Sequence, residues 1–158
     1  MSRFDNRVAK MTADLADRTA AIETERAVMA AEQAEKRAAG VRVLCDVAMP
    51  LIEEVRTSCD AQRIKYALST EFDGVHDPRI TFQCNGRKTR ADGSTYIVDG
   101  AELLISHDGE ALCVKVRRYP MHQKGPAVLV DGSESDRVMA GIEVVLNSYF
   151  IAITPDKS

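Results

Sequence analysis

This sequence is poor in the residues and spacings that mark enzymes. It has no tryptophan, three histidines and four cysteines in 158 residues, and aromatic side chains make up 5% of it. The cysteines form no CxxC or CxxH pair, so no zinc or dithiol motif is recognisable. The glycines follow neither the GxGxxG nor the GxxxxGK(S/T) order that cradles phosphate groups. We therefore predict a protein that is not an enzyme, with no cofactor and no metal ion.

The chain also lacks an excess of charge and any long hydrophobic run. Its formal net charge is −3 and its pI is near 5.6, so it has no overall attraction for nucleic acid or for an anionic membrane. No stretch approaches the roughly 20 apolar residues that span a bilayer. The N-terminus shows no signal-peptide pattern. These features predict a cytoplasmic protein without a membrane partner.

The first 39 residues predict one long helix. Residues 3–39 contain neither glycine nor proline and consist mainly of strong helix formers. Apolar residues recur at heptad spacing, which is typical of a coiled-coil seam. The seam residues are Phe4, Val8, Met11, Leu15, Ile22 and Met29. The companion heptad position then changes to Arg18, Glu25 and Glu32, so the seam narrows along the helix.

A helix with so narrow a seam buries little apolar surface against its own domain. We predict that residues 1–39 form an extended arm that pairs with a second copy or docks to a helical partner. The alternative is an arm that lies on its own domain. The leading functional hypothesis is accordingly a non-enzymatic interaction or adaptor protein, and a homo-oligomer.

Residues 40–154 predict an α+β domain, followed by a loose tail at 155–158. Gly40 indicates a break or kink, after which a second helical stretch covers about residues 41–62. Pro50 lies inside this stretch. Proline either kinks a helix or lies in the first turn of a new one.

After the second helix the hydrophobic pattern alternates, which predicts an antiparallel β-meander of about four to six strands. A loop is predicted at 85–94, a strand near 95–98 and an Asp-Gly hairpin turn within 107–110. Ser133, with Asp136 three residues later, predicts the start of a closing C-terminal helix. The predicted class is thus α+β, with helices on one face of a curved sheet.

The face of the sheet opposite the core is rich in cations. The alternation places Arg63, Lys65, Arg79, Lys115 and Arg117 there, opposed by Glu102. A surface of this kind predicts binding of nucleic acid or another polyanion, as the alternative function. The candidate anion-binding residues are Arg79, Arg87, Lys88, Arg90, Lys115, Arg117 and Tyr119. The competing interpretation is a solvated strand face, or one covered by acids from a helix.

Two further site hypotheses have weaker support. The segment 71–78 holds three carboxylates and a histidine, which suit a metal ion, but Asp-Gly and Asp-Pro are also ordinary turn pairs. Cys84 or Cys113 beside His76 or His107 would suit nucleophilic catalysis. Burial would raise the pKa of Cys84 and make it inert, which leaves Cys113 as the better candidate.

Overall fold

A computed structural model describes residues 2–117 and 127–154. It confirms the α+β class, with a long N-terminal helix, a second helix, an antiparallel sheet and a closing helix. The helices are α1 (Asp5–Val43), α2 (Met49–Ala61) and α3 (Glu134–Ile153), and a π-helical segment (Leu44–Ala48) separates the first two. The strands are β1 (Lys65–Glu71), β2 (Arg79–Thr89), β3 (Thr95–His107), β4 (Leu112–Arg117) and β5 (Ala127–Leu129). The chain divides into two compact units, Met1–Glu35 and Lys36–Ser158. The tail predicted at 155–158 lies outside the described residues.

Helix α1 continues through Gly40, so the predicted break at this residue is wrong. Gly40 is buried, and a Cβ atom there would lie 3.0 Å from His107 Nδ1 and 3.1 Å from Pro78 Cγ. A glycine inside a helix costs about 1 kcal/mol relative to alanine, which favourable packing can offset. The glycine therefore allows the close approach of Pro78 and His107 and does not end the helix.

The first irregularity of the helical region comes at Leu44–Ala48. The Met49 N–H donates to the carbonyl of Leu44, five residues earlier, which widens this turn into a π-helical one. Pro50 follows, and it has no N–H to donate to the residue four positions before it. Pro50 lies in the first turn of α2. The backbone is right-handed helical at Val43, Ala48 and Met49, so the helical region continues from α1 through the π-helical turn into α2 without a break.

The five strands form one antiparallel meander in the order β1–β2–β3–β4–β5. The loop predicted at 85–94 is shorter in the structure, because β2 extends into it as far as Thr89. The turn is made by Asp92 and Gly93: Gly93 has a φ of 87°, and the Ser94 N–H donates to Asp92 Oδ1 at 2.9 Å. The strand predicted near 95–98 is the first part of β3.

One face of the sheet carries the core. Helices α2 and α3 and the π-helical segment contribute to it, and α3 begins with the predicted capping box, in which the Asp136 N–H donates to Ser133 Oγ at 3.2 Å. Large side chains with no exposed surface meet in this layer: Leu44, Ile52, Ile80, Phe82, Leu103, Ile105, Val114, Val138 and Val145. The opposite side of the sheet, which we call the outer face, carries the intervening residues of each strand. Its cations and carboxylates are described below.

Candidate functional site

The unit Met1–Glu35, which we call the arm, presents the predicted seam to solvent. The fractional exposure of the seam side chains ranges from 49% at Ile22 to 65% at Leu15. All other described residues of the arm are exposed as well. Val28 is 52% exposed beside Met29 and extends the seam, although it does not follow the heptad spacing. The arm therefore exposes a row of large apolar side chains to solvent.

The polar side chains beside the seam are satisfied within the helix itself. The hydroxyl of Thr12 donates to the Val8 carbonyl at 2.8 Å, and that of Thr19 donates to the Leu15 carbonyl at 2.9 Å. Burying a hydroxyl is costly mainly when its hydrogen bond is lost. The arm can therefore bury these threonines in an interface without leaving a donor unpaired.

The outer face of the sheet brings three predicted anion-binding residues together, but carboxylates accompany them. Arg79 pairs in register with Glu71, and its Nε donates to Glu71 Oε2. Arg117 lies in register with Glu102. Lys115 has Leu104 as its neighbour on β3. The face therefore carries mixed charge, which is less favourable for a polyanion than the predicted basic face.

The remaining predicted cations are dispersed by the β2–β3 hairpin. Arg87 follows the alternation of Arg79 on β2 and so projects from the outer face, whereas Lys88 projects from the other side. Arg90 lies at the turn, with its guanidinium 4.6 Å from the centre of the Tyr96 ring. Tyr119 lies outside the described residues. The three cations of the predicted loop therefore do not share one surface.

Three groups of the segment 71–78 approach each other closely. Ligating atoms of Glu71, Asp73 and His76 lie within 4.8 Å of one another. Asp73 accepts hydrogen bonds from the N–H groups of His76 and Val75 at 3.0 and 2.8 Å, and it contacts His76 Nδ1 at 2.9 Å. These bonds hold the pKa of Asp73 well below its usual range, and the carboxylate raises the pKa of His76. Since Glu71 is engaged by Arg79, the arrangement is that of an aspartate-stabilised turn.

The cysteines considered for catalysis are not paired with a histidine by the sheet. Cys84 is fully buried, and burial raises its pKa to about 12. Cys113 is half-buried and lies opposite Ser106. His107 is on the adjacent position of β3, where its side chain turns to the core and is only 5% exposed. Cys113 and His107 therefore lie on opposite faces of the sheet.

Sequence reasoning missed a cavity where α2 ends and β1 begins. Its volume is about 720 Å³, and Arg63, Lys65 and Arg87 are among its lining residues. The alternation predicted that Arg63 lies on a strand, but it does not. It follows the C-terminus of α2 with a φ of 57°, because the chain reverses there before β1.

The comparisons with known proteins add no relative. No family model matches the chain, and neither a curated protein nor a solved structure matches it. In the part of the chain that the structure describes, no helix combines the length and apolar character needed to cross a membrane.

Proposed function

We propose that this chain is a non-enzymatic interaction protein that self-associates through its arm. The observation that carries the proposal is the seam, a row of apolar side chains at heptad spacing with about half or more of each exposed. Complete burial of one such side chain stabilises an interface by roughly 1.5–3 kcal/mol. A second helix with the same spacing can bury the whole row.

The charges of the arm favour an antiparallel pair of identical helices over a parallel one. In a parallel pair, Arg18, Glu25 and Glu32 would each face their own copy across the seam. Like charges in such layers repel each other and disfavour the arrangement. A partner in the opposite direction removes all three of these like-charge layers.

One antiparallel register makes half of the layers apolar on both sides and places no like charges opposite each other in the seam. Its two-fold axis passes between Ala16 and Asp17, so positions that sum to 33 face each other. The facing pairs are Phe4 with Met29, Val8 with Glu25, Met11 with Ile22 and Leu15 with Arg18 of the second copy. The flanking positions place Asp5 near Arg26 of the second copy, twice per dimer. This register combines apolar layers at both ends with opposite charges at its edges.

The seam is tested by changing two of its residues at once. Leu15→Asp with Ile22→Asp places charges in the apolar row, so we expect the dimer to dissociate. The matched control is Ala13→Asp with Ala20→Asp, which adds the same charge at heptad positions away from the seam. The measurement is mass by light scattering behind size exclusion, for the full chain and both variants.

The expected masses distinguish the outcomes. Wild type and the control should run at twice the chain mass of 17.4 kDa, and the seam variant at the chain mass itself. Circular dichroism of the seam variant should still show a folded body. A seam variant that associates as well as wild type would show that the seam is misassigned, and a monomeric wild type would remove self-association altogether.

The alternative function, polyanion binding across the outer face, has less support. The cavity above this face is lined by Arg79, Lys115 and Arg117, but also by Glu71 and Asp77. Counterion release by phosphate contacts requires a surface where cations clearly dominate. We therefore place self-association first.

A further inference from the structure

The cavity at the end of α2 is distinct from both the arm and the centre of the outer face. It measures about 720 Å³, which lies within the range of about 300–1,000 Å³ typical of small-molecule sites. Three cationic side chains converge on it from two segments: Arg63 and Lys65 from the chain entering β1, and Arg87 from β2. Lys65 and Arg87 are held near each other because Lys65 pairs with Asn85 at the end of the β1–β2 ladder.

The three cations are free to meet a ligand. Within the described part of the chain, none of them forms an ion pair, and each is exposed. Asp60 also lines the cavity, but its carboxylate accepts a hydrogen bond from the Tyr66 hydroxyl at 3.4 Å. That hydroxyl accepts one in turn from Arg56 Nε at 2.8 Å. The Asp60 carboxylate keeps its negative charge, so the three cations outnumber the one acid that lines the cavity and its charge is positive overall.

The backbone of Arg63 provides a second observation. The Arg63 and Ile64 N–H groups donate to the carbonyls of Asp60 and Cys59 at 3.2 and 2.8 Å. This pattern closes a helix C-terminus and places its central residue in the left-handed region, where glycine is the usual choice. Arg63 is the non-glycine residue with positive φ in the described chain. A long cationic side chain therefore occupies a position where the backbone conformation disfavours any residue but glycine.

The rest of the lining indicates what else a ligand presents. Ile97 lines the cavity with 68% of its surface exposed, and Tyr149 also lines it. The site therefore offers cations for an anionic group and an apolar wall.

We propose that this cavity binds a phosphate-bearing small molecule of nucleotide size. Arg63, Lys65 and Arg87 hold the phosphate oxygens, where the guanidinium groups can bind in bidentate fashion. Ile97 covers the apolar body of the ligand.

The test is calorimetry on the full chain with three metal-free probes: ADP, inorganic pyrophosphate and single-stranded oligothymidylate. ADP should bind, and it should bind more tightly than pyrophosphate because the apolar wall contacts the rest of the nucleotide. The affinity for ADP should fall as the salt concentration is raised. Arg63→Gly and Arg87→Gln should each weaken ADP binding about tenfold or more, the usual effect of losing one charge-assisted hydrogen bond. Arg63→Gly also relieves the left-handed backbone, so its thermal stability should not fall.

The matched control is Arg90→Gln, which removes the same charge at the far end of the hairpin. Its effect on ADP binding should stay within about twofold, as for a distant exposed charge. Four results would overturn the proposal: no heat from ADP or pyrophosphate at millimolar concentration, pyrophosphate binding as tightly as ADP, an equal loss in the Arg90→Gln control, or binding of oligothymidylate alone. The last result would indicate an extended polyanion surface.

Discussion

Gly40→Ala tests whether α1 needs a glycine at this position because a larger side chain would collide with Pro78 and His107. In an exposed helix interior, alanine is more favourable than glycine by about 1 kcal/mol. At Gly40 the added Cβ would meet His107 Nδ1 at 3.0 Å, Pro78 Cγ at 3.1 Å and His107 Cβ at 3.2 Å. These contacts are too short unless the two side chains move.

Neither neighbour moves easily. Pro78 has essentially no exposed surface, and its ring is rigid. His107 is 5% exposed, and its ring Nδ1 accepts a hydrogen bond from the Gly109 N–H at 3.0 Å. The backbone N–H of His107 donates to the Pro78 carbonyl at 3.2 Å. Overpacking of this kind costs about 1–3 kcal/mol. Subtracting the helix preference leaves a net loss of about 1 kcal/mol in the free energy of unfolding.

The assay is urea unfolding followed by circular dichroism, in the Leu15→Asp/Ile22→Asp background so that association does not contribute. Ala38→Gly is the matched control, since Ala38 is exposed and should lose about 1 kcal/mol from helix preference alone. The reasoning is refuted if Gly40→Ala gains about 1 kcal/mol, because the helix preference would then act without the steric cost.

The orientation of the paired arms can be measured with spin labels at Ala27→Cys, with Cys45 and Cys113 changed to serine. The antiparallel register separates the two labels by about 31 Å along the helix axis, whereas a parallel pair brings them within about 20 Å; the shorter distance would exclude the register. Thiol reactivity gives a second prediction. At pH 8 a thiol reagent should modify the exposed Cys45 but not the buried Cys84, whose pKa of about 12 leaves almost no thiolate. Fast modification of Cys84 in the folded protein would contradict its burial, and all four cysteines should react in denaturant.

The sheet was predictable because its pattern is local. Ile80, Phe82 and Cys84 alternate with polar residues, and a period of two assigns each side chain to a face without knowledge of its neighbours. The long N-terminal helix was predictable for the same reason, since its run of strong helix formers is a property of one segment. The capping box at the start of α3 is also contained in four consecutive residues.

The predictions that were wrong or missing concern positions whose structure depends on residues far away in the sequence. Gly40 resembles a helix break until Pro78 and His107, far along the chain, are packed against it. In the sequence, Arg63 continues the alternation of polar and apolar residues seen in β1. The hydrogen bonds that end α2 nevertheless place it in a turn. The cavity at that turn is lined by residues of several segments, so the pattern of one segment alone cannot predict it. Pairing of Arg79 with Glu71 likewise depends on a register between strands.

The meander has a consequence for the order in which the chain is made. Each strand pairs only with its sequence neighbours, so the sheet can assemble as it leaves the ribosome, without waiting for remote partners. Its core face is completed by α3, which follows all five strands in the chain. At roughly 5–20 residues per second, this helix takes on the order of one to a few seconds to appear. During that interval Phe82, Leu103 and Val114 are left partly uncovered, and a nascent chain that stalls before residue 134 carries an open apolar sheet that is prone to aggregate.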